Sequence, residues 1–127
     1  MATEHNVYDA SYPAFGDLRS NQFYCVEFSA SKVVQKCSAV TALACGVLQN
    51  NPNSGEVAVV RHLGMSKCVA GSGITVANLV GPVAHGAIGK KTPGTDTTNY
   101  VIGQAVETFS SGETGAIIIR GTPLRAA

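Results

Sequence analysis

The chain has 127 residues, a formal net charge of +1 and only 13% charged residues, against about a quarter in typical soluble domains. One domain of this length buries roughly two-thirds of its unfolded surface and folds without a metal or disulfide staple. Its nine Lys and Arg are scattered, with Lys90-Lys91 the one adjacent pair, so no basic stripe argues for direct nucleic-acid binding; no apolar run approaches the ~18 residues of a spanning helix, so no membrane role is expected.

The opening stretch "MATEHNVYDASYPAFGDLRS" has early acids and no apolar segment, so it does not read as a signal peptide. It is polar, broken by Pro13 and Gly16, and carries Tyr8, Tyr12 and Phe15 without a period. Residues 1–21 are therefore expected to form an extended N-terminal arm, and 22–127 a single β domain. An arm with three aromatics lays them onto its own domain, a neighbouring subunit or another protein; the plain alternative is a loosely packed terminus.

From Phe23 onward the pattern becomes short strands and turns. "FYCVEFSA" alternates, with Tyr24, Val26 and Phe28 as the better core face. "KVVQKCSAV" follows a corner, and "LACGVLQ" leads through the turn "NNPNSG" into "EVAVVRHLG", a hairpin signature. Next come "SKCVA", a Gly-Ser-Gly break, "ITVANLV", a break at Gly81-Pro82 and "VAHGAIG". "TVANLV" reads either as a strand or as one helical turn. A polar loop "KKTPGTDTTN" precedes "YVIGQAVETF", the turn "SSG" and "ETGAIIIRG". Breaks every 8 to 12 residues, and no sustained 3.6-residue period, predict an all-β fold: a small β-barrel or sandwich.

One phrase nearly recurs. "CGVLQNNPNSGEVAVVR" aligns with "IGQAVETFSSGETGAIIIR": a Gly in the first strand (Gly46, Gly103), a polar tip, Gly-Glu, then an apolar return strand. A Gly there marks a bulge or close backbone approach. Two such hairpins predict a pseudo-symmetric fold, with chance likeness the alternative. Neither return strand alternates as a strand with one wet face should, so both faces call for cover. Of Ala116 to Ile119, one set should face the core and the other a neighbouring subunit or second layer; Val59, Ile117 and Ile119 are taken as the oligomer interface.

Catalytic patterns are absent or incomplete. "GAIGKKT" has Ala84 and Lys91 where a phosphate loop needs Gly and Ser or Thr. "GMSKC" has Cys68 where a nucleophile elbow closes on Gly, and "SASK" lacks companion motifs. His5, His62 and His85 stand alone, so no metal site is expected. Cys25, Cys37, Cys45 and Cys68 include no C-x-x-C pair and read as reduced thiols acting as small core hydrophobes, with a disulfide or a reactive thiol as alternatives. The expectation is a non-enzymatic protein without cofactor.

The succession of short β units, carried by Gly46-Val47-Leu48 with Gly55-Glu56 and "VAVV", then by "IGQAVET" with Gly112-Glu113 and "AIII", resembles the capsid decoration, or cement, proteins of tailed bacteriophages. The resemblance covers about residues 23–121. It implies a small β-tulip-like barrel of the lambda type, which binds as a homotrimer on the outer capsid surface of the virion and cements neighbouring major capsid proteins. It implies too that the arm touches the capsid, through Tyr8, Tyr12, Phe15 and Arg19. The four cysteines and the long "KKTPGTDTTN" loop depart from the familiar type. A tail, spike or carbohydrate-binding β module is the alternative reading.

Overall fold

The computed structural model describes residues 5 to 126. Among them it is all β, as the turn rhythm predicts: β1 (His5–Pro13), β2 (Cys25–Ala30), β3 (Val33–Lys36), β4 (Gly46–Leu48), β5 (Val57–Val69), β6 (Leu79–Pro82), β7 (Ile88–Lys90), β8 (Tyr100–Ala105) and β9 (Thr114–Arg125). They form one antiparallel sheet in the order β3-β2-β4-β5-β9-β8-β6-β7, with β1 pairing β5, and the sheet curls into a small barrel-like shell.

The recurring hairpin is one part of a larger repeat. β1, β2, β3, β4 and the first half of β5 form one unit; the second half of β5, β6, β7, β8 and the first half of β9 form another. The registers correspond pair by pair: Val26↔Lys36 with Val80↔Lys90, Leu48↔Val60 with Ala105↔Ile117, and Pro13↔Val57 with Val69↔Thr114. Each unit curls until its first strand meets its third, through the parallel bridges Ala14↔Val34 and Ala70↔Ile88.

The turns repeat as well. Glu56 Oε1 accepts the Asn53 amide at 2.6 Å, and Glu113 Oε1 accepts that of Ser110 at 2.7 Å. The amide of Gly55 donates to Ala14 O, and that of Gly112 to Ala70 O. Even the rare left-handed backbone of Phe23 (φ 68°) has its match in Ala77 (φ 74°); their amides donate to Leu48 O and Ala105 O. A positive φ costs a residue with a Cβ about 1–2 kcal/mol, so its recurrence means that this backbone path, not the residue type, is what both units require.

Each unit has its own core. Val26, Val34, Leu48, Ala58 and Val60 pack together with Ala14 and Leu18 in the first. Ile74, Val80, Ile88, Ile102, Phe109, Ile117 and Ile119 pack in the second, which also takes in Cys25, Cys37, Val47 and Cys68. β5 serves both: Ala58 and Val60 face the first core, and Cys68 the second. "EVAVVRHLG" and "SKCVA" are thus one 13-residue strand. Gly64, with φ 114°, lies where the partner changes from β1 to β9: it faces Asn6 on one and Ile119 on the other. A glycine that reads as a break is the joint between units.

Two expectations need correction. Residues 5–21 are not an arm beside the domain: β1 pairs with β5 from Pro13↔Val57 to His5↔Met65, and Ala14 and Leu18 are buried in the first core. The boundary at residue 21 therefore cuts through a unit, while residues 1–4 of the expected arm lie outside those described. Ile117 and Ile119 are core residues, 0% and 2% exposed, not an interface; Ile118 is the outward one, at 42%. Val59 points away from the core and is half-buried. Ala116, also of the outward set, is covered by its own hairpin: its amide donates to Glu107 Oε2 at 2.9 Å, and its carbonyl accepts the Val106 amide at 3.2 Å.

Residues 75–78 form neither strand nor helix but a turn, closed by Asn78 N to Thr75 O and by Thr75 N to Asn78 Oδ1. The turn delivers the chain into β6.

Candidate interaction surface

The four residues expected to reach a partner lie on or next to β1. Tyr8 and Phe15 are 55% and 63% exposed, large apolar faces left in water. Tyr12 is half-buried against the first core. Arg19 is exposed but already engaged: its Nε and Nη2 donate to Asp17 Oδ1 and Oδ2 at 2.9 and 2.8 Å. Those bonds, with the Arg19 amide, hold the Asp17 carboxyl down at about 2. At this exposure the pair adds little stability, and Arg19 meets a partner as half of a neutral pair.

What holds Tyr8 and Tyr12 in place is a cluster the sequence did not single out. Phe28 stands two residues beyond Val26, and His62 two beyond Val60, so both continue the inward face of their strands past the end of the core. Tyr8 stacks on His62, with centroids 5.5 Å apart; Tyr12 meets His62 and Phe28 edge-on, at 5.6 and 5.1 Å. His62 Nδ1 lies 2.7 Å from Cys45 O, which only accepts, so Nδ1 carries the proton. Nε2 then accepts from the Tyr12 hydroxyl at 2.8 Å. Burial, then Tyr8 and Cys45, pushes the Tyr12 phenol up, which keeps it a donor. The ring has one tautomer and one orientation, and the aromatic cluster is pre-set.

β1 is also tied down by charge. Arg61, buried in the shell, makes a two-pronged pair with Asp9, Nε to Oδ1 at 2.8 Å and Nη2 to Oδ2 at 3.1 Å, and Nη1 donates to Met65 O at 3.0 Å. Asp9→Ala removes the counter-charge while leaving Arg61 in place. It should cost about 3 kcal/mol, the lower end for a broken buried pair because Asp9 keeps some water, read as a lower urea midpoint. An unchanged midpoint would mean the pair does not anchor β1.

Other exposed apolar side chains, Val7, Val57 and Leu63, lie on the same two strands, and Val40, Leu43, Val76 and Ile118 lie elsewhere. Among the described residues, no three His, Cys, Asp or Glu side chains gather as a metal would require, and no helix is long and apolar enough to cross a membrane. The thiols of Cys25, Cys37 and Cys68 are buried, and that of Cys45 is half-buried.

No protein-family model and no curated protein matches the chain. Among solved structures, the chain is similar in fold to the N base of head fiber gp8.5 in bacteriophage phi29. The TM-score is 0.68 over 93% of this chain and 98% of that one, at 18% sequence identity.

Proposed function

We propose that the chain is a structural protein of a phage virion, which sits on the outer surface of the assembled head and holds to the major capsid protein without catalysing a reaction. The observation that carries this reading is the fold shared with a head-fiber base over nearly the full length of both chains. The surface chemistry supports it. A low-charge shell rich in Ser, Thr and Gly loses less free energy on desolvation than a charged one, and aromatic side chains fixed before binding lose little entropy on docking. Identical contacts repeated over a lattice add by avidity. A homotrimer would triple them on each attachment point, with Val57 and Ile118 among the outward apolar residues available between copies.

Deleting residues 2–21 is no test of attachment, because it removes β1 and two core residues. Phe15→Ser alters an exposed ring and should leave the unfolding midpoint nearly unchanged; Tyr8→Ser, which also removes the stack on His62, should cost no more than about 1 kcal/mol. On emptied, expanded heads they should together weaken binding about tenfold or more, as for loss of anchoring aromatics. Light scattering should give three times the chain mass. A monomer, or a wild-type chain that ignores expanded heads, would sink the reading; full binding by the double variant would move the contact off β1.

A further inference from the structure

Lys91 and Asn99 flank the turn segment that joins β7 to β8. Both are buried, at 4% and 9% exposure, and Lys91 Nζ donates to Asn99 Oδ1 at 2.7 Å. Both ends are pinned by backbone bonds: Lys91 N to Leu79 O at 2.8 Å, Asn99 N to Asp96 O and Ala126 N to Asn99 O, each at 2.9 Å. The lysine stem lies over Gly81, where a Cβ would come within 3.1 Å of Lys91 Cε and 3.3 Å of Cγ.

The first unit shows that the fold does not need this pair. The place of Lys91 is taken there by Cys37, whose amide donates to Cys25 O at 3.0 Å and whose thiol is buried. The connection after it turns Ala42 and Ala44 inward. A thiol and two methyls fill the space that the second unit gives to an amine and a carboxamide. A buried ammonium is costly, and packing alone would not select it. Burial pulls the Lys91 pKa down, against the pull of Asp96 and Cys25, and so favours the nucleophilic neutral amine.

We propose that Lys91 and Asn99 are the reacting pair of an intramolecular isopeptide bond that forms once the chain has folded. Lys91 gives up one proton to solvent and becomes the neutral amine, and its Nζ lone pair attacks Asn99 Cγ, whose carbonyl is already held beside it. The tetrahedral adduct collapses as a proton reaches the amide nitrogen: the Cγ–Nδ2 bond breaks, ammonia leaves, and a Cγ–Nζ amide remains. Nothing is oxidised or reduced, and no further reactant is consumed. Asp96, the carboxylate of the same turn, which accepts the Thr92 amide at 2.6 Å and whose charge acts on Lys91, takes the second Nζ proton as the adduct forms and returns it to the leaving nitrogen. The product ties the end of β7 to the start of β8 by a covalent bridge in an otherwise turn-rich segment.

The full chain, purified and incubated at neutral pH, should have an intact mass lower by one ammonia. After denaturation trypsin should no longer cut after Lys91, and fragmentation should give no breaks between residues 91 and 99. Lys91→Arg and Asn99→Ala should each restore the full mass expected for their sequence. A wild-type chain of full mass, cut normally after Lys91, overturns the proposal. So does an ammonia-deficient chain that trypsin still cuts there, which would be a succinimide at an asparagine. Asp96→Asn should slow the mass loss at least tenfold; an unchanged rate overturns its part as proton carrier.

Discussion

Replacing Gly103 with alanine should cost about 3 kcal/mol or more, the upper range for forcing atoms into a packed site, and Gly46→Ala should cost about as much. A Cβ on Gly103 would lie 2.0 Å from Ile118 O, and one on Gly46 would lie 2.4 Å from Arg61 O. Both obstacles are backbone carbonyls of the paired return strand. No rotamer change relieves them, and shifting the strand would break its register. Two other glycines serve as controls. Gly112 has φ 85° with open space around its Cβ position, so alanine there pays only the left-handed backbone, about 1–2 kcal/mol. Gly73 has open space and no positive φ, so alanine should be neutral or stabilise by up to about 1 kcal/mol. Urea unfolding of the four variants should rank them in that order. A Gly103→Ala chain with the wild-type midpoint would show that the strands do not approach this closely.

These two glycines were also the most legible part of the sequence. Gly46 and Gly103 occupy the same place in two quoted phrases, and each presses against the equivalent carbonyl of its own return strand, Arg61 O in β5 and Ile118 O in β9. The Gly-Glu turns were readable for a similar reason, since the glutamate and the left-handed glycine are chemically specific. The rest of the repeat left no such trace. Val26, Glu27 and Phe28 correspond to Val80, Gly81 and Pro82, and only the first pair is alike; pairing register, which the backbone makes, carries the likeness.

β1 was missed because "HNVYDASYP" contributes little apolar surface: its hold on β5 is the ladder, the contacts of Tyr8 and Tyr12 with His62, and the Asp9–Arg61 pair, 52 residues apart in sequence. A backbone ladder has no composition signature, and a distant ion pair none either. The choice of Ile117 and Ile119 as outward-facing failed for a related reason. In a run of four apolar residues either parity satisfies the alternation, and only the register against β8, Gln104↔Ile118 and Ala105↔Ile117, decides it. Tyr8, Tyr12 and Phe15 were legible as unusual, but the side chains that orient two of them, Phe28 and His62, become neighbours only through the fold.

Raising the pH from 9 to 10 under reducing conditions should remove roughly 3–4 kcal/mol of stability, out of a total on the order of 5–15 kcal/mol for a domain of this kind. Three thiols are responsible. The Cys25 thiol is pushed up by its bond to the Cys68 thiol and by burial; Cys37 by burial and then by Cys25; Cys45 by burial, to about 12. In the unfolded chain each loses its proton near pH ~8.5–9. The folded chain keeps all three over the next units, so it binds more protons than the unfolded chain and loses stability as the pH rises. The stabilisation is complete below the unfolded thiol range and disappears on the way up to the folded values. Each thiol contributes about 1.4 kcal/mol per pH unit. Lys91 does not enter this balance once its Nζ is bound to Asn99 as an amide; as a free amine its lowered pKa would act in the opposite sense and take up to one proton's share off the loss. Urea midpoints at pH 7, 8, 9 and 10 should therefore be level at first and then fall steeply, and replacing Cys37 and Cys45 with alanine should flatten the fall by about two-thirds while lowering the starting midpoint. A midpoint that holds from pH 8 to pH 10 would mean that these sulfurs ionise freely in the folded protein, and that the core around them is open to water.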